Sequence, residues 1–144
     1  MIDFSTELGK RAWQRIVNEE IIWFTSISAS LIPQPRPVWF IWDQETFLLY
    51  SQPTSMKVRQ IVHNRNVALH FNADQQGGDI QVFLGEAWID QLAPAPANMA
   101  AYVEKYQASI SAIQMTTGRY SELFSTAIRV KPTKLRGVDV LPEA

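Results

Sequence analysis

The residues best suited to chemistry lie at the junction "YSQPTSMKVRQ", residues 50–60. A strand-like run ends near Ser51, and a helix-like run begins just after Ser55. A helix N-terminus offers unpaired backbone amides and the positive end of the helix dipole, so it can bind an anion such as phosphate. Lys57 and Arg59 would add positive charge. The alternative is an ordinary helix capped by Ser55 with solvated basic side chains, and both interpretations stay open on these residues alone.

A second candidate is the stretch "RPVWFIW", residues 36–42. Arg36 comes just before a predicted strand, and Pro37 is typical of an edge strand. A strand that begins in this way can present backbone groups to a flat ligand. The alternative is that Trp39 and Trp42 are core or interface aromatics, which is the usual role of such large side chains.

Other kinds of catalytic chemistry have little support in the sequence. The chain contains no Cys, which excludes disulfides and thiol nucleophiles. His63 and His70 have no partner at metal-ligand spacing. No nucleophile elbow, phosphate-binding glycine loop, zinc-protease motif or dinucleotide-binding motif is present. We therefore predict no metal site, and the catalytic residues stay unknown.

Length and composition predict one folded domain over residues 1–144. Hydrophobic residues make up 47% of the chain and charged residues 19%, as in globular proteins. The net charge of −1 argues against a general affinity for nucleic acid. The first residues lack the features of a signal peptide, and no apolar run is long enough for a membrane span. We expect a cytoplasmic protein.

Apolar periodicity and turn residues define the elements that must position these candidates. They predict helices over 6–20, 56–62, 98–113 and 120–124, and strands over 21–28, 38–42, 46–51, 67–72, 80–92 and 127–131. Resumption of the last strand after Pro132 stays open. Residues 43–45 form a hairpin turn, and Gly85 marks a bulge or close backbone approach. Six strands in a chain of this size predict a mainly β fold: an antiparallel barrel with peripheral helices.

Four segments together resemble a known family. They are "RPVWFIW", "DQETFLLYSQPTSMKVRQI", "NVALHF" and "GEAWI", in order across about residues 21–92. This order and spacing are similar to the FMN-binding split-barrel family related to pyridoxamine 5′-phosphate oxidase, and more narrowly to its short bacterial branch that includes deazaflavin-dependent reductases. The resemblance implies a six-stranded antiparallel split barrel. It also implies a homodimer with FMN, or a deazaflavin in some branches, at its interface.

Several cofactor-binding positions of this family have counterparts in the chain. The family's basic phosphate contact before the second strand corresponds to Arg36, and its strand-end hydroxyl to Ser51. The Ser and the Lys at the helix start correspond to Ser55 and Lys57. The resemblance therefore favours the anion-site interpretation of the junction, with phosphate as the anion.

The resemblance also implies that backbone groups around Val38 and Trp39 lie along the flavin ring. A flavin or deazaflavin would carry hydride chemistry itself, while the protein supplies orientation and electrostatics. This suggests an oxidoreductase acting on an unidentified small molecule. Two alternatives remain: a non-catalytic module that binds or stores a flavin or a tetrapyrrole, and a structural dimerisation domain.

Three departures from the oxidase pattern are visible. Met56 stands where the oxidase has a second basic residue. The oxidase has a Gln in its fifth strand that contacts the partner's flavin, and Gln81 lies one position away from it relative to Gly85. A one-residue slip changes the face of a strand. We therefore do not assign flavin contact to Gln81. The C-terminal substrate motif is missing from "KLRGVDVLPEA". We therefore do not expect oxidation of pyridoxamine phosphate.

Overall fold

A computed structural model describes residues 1–138 of the chain. Its helices are α1 (Glu7–Asn18), α2 (Met56–His63), α3 (Ala100–Ala112) and α4 (Thr117–Leu123), with a short 3-10 turn at Pro96–Asn98. Its strands are β1 (Ile21–Ile27), β2 (Pro33–Trp39), β3 (Ile41–Asp43), β4 (Thr46–Ser51), β5 (Asn66–His70), β6 (Ile80–Ile89) and β7 (Thr126–Val138). None of these helices is long and apolar enough to cross a membrane.

The seven strands form one antiparallel sheet in the order β2-β1-β5-β6-β7-β4-β3. The two edge strands, β2 and β3, follow each other in the chain and are separated only by Phe40. The sheet must therefore curl until its edges come together, which produces a split barrel. The predicted fold class is confirmed, with seven strands in place of six.

The additional strand arises because the chain bends at Phe40, inside the single strand predicted over 38–42. Helix α3 satisfies the backbone groups at this break. The Phe40 N–H donates to the Tyr106 hydroxyl at 2.8 Å, and the Phe40 carbonyl accepts from Lys105 Nζ at 2.9 Å. Most other elements begin and end within about three residues of the predicted limits. The exceptions are β2, which begins at Pro33, and β7, which continues through Pro132 to Val138.

The proline-rich segment before Arg36 lies outside the strand predicted over 38–42, but it forms most of β2. Pro33, Pro35 and Pro37 occupy every second position of the register between β2 and β1. Proline lacks an N–H, so it is tolerated where the backbone faces away from the neighbouring strand. The alternation places all three prolines in that orientation. Arg36 lies directly opposite Phe24, a fully buried residue, and so projects from the inner face of the sheet.

Two apolar clusters hold the fold. The larger one lies inside the sheet, beneath α1 and α2, and the smaller one joins α3 and α4 to the sheet. Trp39 stacks on Tyr106 in the smaller cluster, with ring centroids 4.8 Å apart. Trp42 packs edge-on against Phe47 of the larger cluster at 5.1 Å. Both Trp side chains therefore pack in apolar clusters, which was the alternative interpretation of "RPVWFIW".

Gly85 lies at a register shift between β6 and β7, so the predicted bulge is confirmed. A Cβ atom at this position would lie only 2.4 Å from the carbonyl oxygen of Lys131. Only glycine allows the two backbones to approach this closely.

Candidate functional site

The predicted cofactor-binding residues lie on two strands and one helix. Arg36, Val38 and Trp39 belong to β2, Ser51 ends β4, Ser55 precedes α2, and Lys57 lies in the first turn of α2. The fold places Arg36 and Lys57 close enough to interact electrostatically. Burial lowers the pKa of the Lys57 ammonium, and the positive charge of Arg36 lowers it further. The two cations therefore face one region, although 21 positions separate them in the sequence.

In the described part of the chain, no side chain caps the N-terminus of α2. Ser55 occupies the capping position, yet its side chain makes no hydrogen bond to the first-turn amides. Its Oγ lies 2.6 Å from the Oγ of Ser51. At α1, in contrast, Thr6 Oγ1 accepts a hydrogen bond from the Gly9 N–H at 2.9 Å. The first-turn amides of α2 thus keep their capacity to bind an external acceptor, and capping by the Ser55 hydroxyl is not observed.

Arg36 and Lys57 are half-buried, and within residues 1–138 neither forms an ion pair with a carboxylate. Burial also lowers the pKa of the Arg36 guanidinium. Removing two like charges from water without a counter-ion is unfavourable. A bound anion would offset this cost. The residues at the start of α2 therefore fit an anionic group.

Two further residues hold Arg36 in place. Arg36 Nη1 donates to Ser26 Oγ at 3.0 Å, and Ser26 Oγ donates to Gln60 Oε1 at 2.5 Å. Ser26 is fully buried on β1, and Gln60 of α2 is only 6% exposed. These contacts connect β2, β1 and α2 at the candidate site.

Neither residue was among the positions predicted from the sequence. Ser26 follows Ile22 and Phe24 on the inward face of β1, where a polar side chain is unusual. Gln60 lies three residues after Lys57, on the same helix face. Ser26 could have been identified as a polar residue on the buried face of a predicted strand. Gln60 could then have been identified by its spacing of three residues from Lys57 on the predicted helix.

Val38 and Trp39 contact the protein interior through their side chains, since each packs against an apolar cluster. They can therefore offer a ligand mainly their backbone. Trp39 continues the series of alternate positions that the prolines occupy in β2. Its N–H therefore points away from β1, toward the free edge of β2. Pro33, Pro35 and Pro37 present only carbonyl groups there. The edge is thus rich in acceptors and has its backbone donor at Trp39.

The remaining candidates from the sequence lie elsewhere. His63 is exposed at the end of α2, and His70 stacks on Trp23 with ring centroids 6.2 Å apart. Within residues 1–138, no group of three or more potential metal-ligating side chains was found. Gln81 is fully buried and accepts a hydrogen bond from Arg15 at 2.8 Å, which is a structural role. The end of "KLRGVDVLPEA" lies outside the described residues.

A shallow cavity of about 560 Å³ lies against the sheet, away from the residues around α2. Its lining includes Thr25 and Ile27 of β1, Ala68 of β5 and Leu84 of β6. None of the six predicted cofactor-binding residues lines it. Its apolar character suits burial against another surface better than recognition of an anion.

Comparison with known proteins defines the family. Residues 10–139 match the family model described as pyridoxamine 5′-phosphate oxidase. This match covers most of the chain, so the chain belongs to that family. No curated protein sequence matches the chain.

Solved structures share its fold at low sequence identity. General Stress Protein 26 from Bacillus anthracis has a TM-score of 0.68 and 14% identity, covering 93% of this chain and 95% of that one. An F420 reductase has a TM-score of 0.61 and 18% identity, covering 81% and 88%. HutZ, the heme storage protein from Vibrio cholerae, has a TM-score of 0.62 and 12% identity, covering 92% and 95%. These similarities establish the fold alone.

Proposed function

We propose that this protein is an oxidoreductase that binds FMN, or alternatively a deazaflavin cofactor, and acts on a small molecule. The cofactor's phosphate would bind in a phosphate cradle formed by Arg36, Ser51, Ser55, Lys57 and the first-turn amides of α2. One observation carries this proposal. Two desolvated cations, which have no carboxylate partner within residues 1–138, lie beside a helix N-terminus that its own Ser leaves uncapped.

The chemistry of the phosphate cradle matches a phosphate monoester. Phosphate oxygens accept hydrogen bonds, and the cradle offers amide, hydroxyl, ammonium and guanidinium donors. Arg36 and Lys57 contribute two positive charges, which balance the one to two negative charges of a monoester near neutral pH. Met56 adds no charge at the position where the oxidase has a basic residue. The fit therefore depends on these two cations.

The ring of the cofactor would lie along the backbone of Val38 and Trp39. The free edge of β2 offers the Trp39 N–H and the proline carbonyls to polar atoms at the ring periphery. Packing of the Trp39 side chain against Tyr106 keeps this edge rigid. A flavin or deazaflavin bound there would supply the hydride chemistry, and the chain would supply binding and orientation.

We also propose that the protein is a homodimer with the cofactor at the interface. The half-buried side chains of Thr25, Ile27, Ala68 and Leu84 line one shallow apolar cavity on the sheet, and a second copy would exclude water from it. Sedimentation of the purified protein with and without FMN tests this. A monomer at all concentrations would contradict the homodimer.

A non-catalytic flavin or tetrapyrrole carrier is the second candidate, because the fold is shared with a heme storage protein. Reduction of the FMN-loaded protein by a nicotinamide nucleotide or a reduced deazaflavin, followed by addition of acceptors, separates the two. Repeated turnover supports the oxidoreductase. Tight binding of heme without turnover supports the carrier. Mass spectrometry of the small molecule released from protein purified from its native host would distinguish FMN from a deazaflavin.

The phosphate cradle is tested by titrating purified variants with FMN and with riboflavin, which lacks the phosphate. We expect Arg36→Ala and Lys57→Ala each to weaken FMN binding by about 1–3 kcal/mol, because each removes a charge-assisted hydrogen bond. Riboflavin binding should change little. Lys10→Ala is the matched control, since Lys10 is exposed and pairs with Glu7. Unchanged FMN affinity in both cradle variants would refute the assignment.

A further inference from the structure

Ser26 and Gln60 form a buried polar pair that the fold itself does not require. Ser26 is fully buried, and Gln60 is 6% exposed. Two neutral polar groups that hydrogen-bond inside a protein contribute little net stability relative to apolar groups of the same shape. A pair of this kind also restricts how the surrounding groups are oriented. Its position beside Arg36 suggests that the orientation serves binding.

The hydrogen-bond directions in this network follow from elementary chemistry. The Arg36 guanidinium can only donate, so Ser26 Oγ must accept from it. The hydroxyl has one hydrogen, which is then available for Gln60 Oε1. This defines the orientation of the Gln60 amide group: its oxygen faces Ser26, and its nitrogen lies on the other side.

The amide nitrogen of Gln60 has no hydrogen-bond acceptor among residues 1–138, although its oxygen is bound. In the same part of the chain, every fully enclosed side-chain nitrogen or oxygen has a partner. The Gln60 nitrogen must therefore reach an opening. Lys57 lies three residues earlier on the same face of α2, and Arg36 is linked to Gln60 through Ser26. Gln60 therefore lies next to both cations of the phosphate cradle.

We infer that Gln60 is a binding residue of the phosphate cradle and that Ser26 positions Arg36 within it. The Gln60 Nε2–H donates to an oxygen of the phosphate monoester, while Ser26 holds the guanidinium toward the same group. This inference rests on the proposed function. It extends the site from α2 to the interior of β1, and it adds a neutral donor that leaves the two positive charges unchanged.

The test compares FMN with riboflavin in the full chain. Gln60→Leu removes the amide donor, and Ser26→Ala removes the hydroxyl that holds Arg36. We expect each to lower FMN affinity about tenfold, the size of one lost hydrogen bond to a charged group, with riboflavin affinity unchanged. Gln60→Glu keeps an acceptor for Ser26 but places a negative charge beside the phosphate. It should lower FMN affinity more, about a hundredfold.

Gln81→Leu is the matched control. Gln81 is fully buried and accepts a hydrogen bond from Arg15, but it belongs to the contact between α1 and β6. Its loss should lower thermal stability without changing the ratio of FMN to riboflavin affinity.

A further comparison separates the positioning role of Ser26 from the binding role of Gln60. In an Arg36→Ala background, Ser26→Ala should have no additional effect on FMN affinity, whereas Gln60→Leu should still reduce it.

The outcomes separate this inference from the proposed function. If the wild-type protein prefers FMN to riboflavin but folded Gln60→Leu and Gln60→Glu variants keep that preference, the role of Gln60 is wrong and the phosphate cradle stands. If the wild-type protein does not distinguish FMN from riboflavin, the cradle and the inference both fail. Should Gln60→Leu not fold, the more conservative Gln60→Glu and the small change Ser26→Ala decide the question.

Discussion

Arg129 and Arg36 are both drawn out of solvent, but their surroundings differ. Arg129 Nε donates to Asp90 Oδ2 at 2.6 Å and Arg129 Nη1 to Asp43 Oδ2 at 3.0 Å. Arg36 reaches only the hydroxyl of Ser26 among residues 1–138. A buried cation that pairs with carboxylates helps to hold together the elements that carry these groups. A buried cation without carboxylate partners destabilises the fold. This difference supports the proposal that the region around Arg36 binds an anion.

A second ionic cluster follows the same pattern as Arg129. Arg11 and Arg15 of α1 contact Asp79, which precedes β6. The hydrogen bond from Arg11 is the main cause of the lowered pKa of the Asp79 carboxyl. Both compensated clusters therefore join elements that are distant in sequence. Among residues 1–138, Arg36 and Lys57 have no carboxylate partner, which favours their pairing with an anionic ligand.

The largest expected effect is the loss of the Arg129 cluster. We predict that Arg129→Met lowers the free energy of unfolding by about 2–4 kcal/mol, because two carboxylates lose their partner. The loss should be smaller than for a fully buried ion pair, because Asp43 and Asp90 are partly exposed. Urea denaturation at neutral pH measures this. FMN affinity should not change, and a selective loss of FMN affinity without loss of stability would contradict the comparison.

The same variant has a predictable pH dependence. The hydrogen bond from Arg129 is the main cause of the lowered pKa of Asp90. A depressed carboxyl pKa contributes stability above the ordinary value of 3.8, and this contribution is lost as pH falls through the folded-state value. The difference in stability between the wild type and Arg129→Met should therefore shrink below about pH 4.

A smaller effect distinguishes the two helix N-termini. Thr6→Ala should destabilise the protein by about 1 kcal/mol, because Thr6 caps α1. Ser55→Ala should cost less stability, because the Ser55 hydroxyl makes no cap hydrogen bond to α2, but it should weaken FMN binding. Thermal unfolding together with FMN titration measures both. Equal destabilisation by the two substitutions would show that Ser55 is an ordinary cap.

The smallest effect is a gain in stability. Lys57→Met removes a desolvated ammonium, so we expect the ligand-free variant to be as stable as the wild type or more stable, by no more than about 1 kcal/mol. Burial lowers the folded-state pKa of Lys57 below 10.5. The desolvation cost of the charged Lys57 ammonium is fully present below the folded-state pKa, and it is relieved as pH rises toward 10.5. The gain should therefore disappear in alkaline solution.

Addition of FMN should make the wild type more stable than Lys57→Met. FMN binds the folded wild type more tightly than the folded variant, and a ligand stabilises the protein that it binds more tightly by a larger amount. Thermal unfolding with and without FMN, from neutral to alkaline pH, measures both effects. A Lys57→Met variant that is clearly less stable without ligand would show that Lys57 is part of the fold's own support.

Most elements could be predicted because their signals are local. The inward residues Ile22 and Phe24 recur with the period of a strand, and Gly85 marked the bulge between β6 and β7. Pro37 indicated an edge strand, and β2 does lie at an edge of the sheet. The part of β2 that contains Pro35 was missed because closely spaced prolines are rare in strands and usually mark a break in the pattern. The bend at Phe40 was missed because α3 satisfies its backbone groups from 66 positions away.

The sequence by itself determined the fold class, the family and the candidate positions at the start of α2. Residue periodicity, turn chemistry and the order of the motifs are properties of neighbouring residues, so they can be recognised without a structure. Only the tertiary structure decided that Ser55 bonds to Ser51 and leaves the α2 amides uncapped. It also decided that Arg36 and Lys57 face one region and that neither pairs with a carboxylate in the described part of the chain. It alone showed that Ser26 connects Arg36 to Gln60. These features depend on contacts between residues far apart in the chain, and local patterns contain no information about which such residues meet.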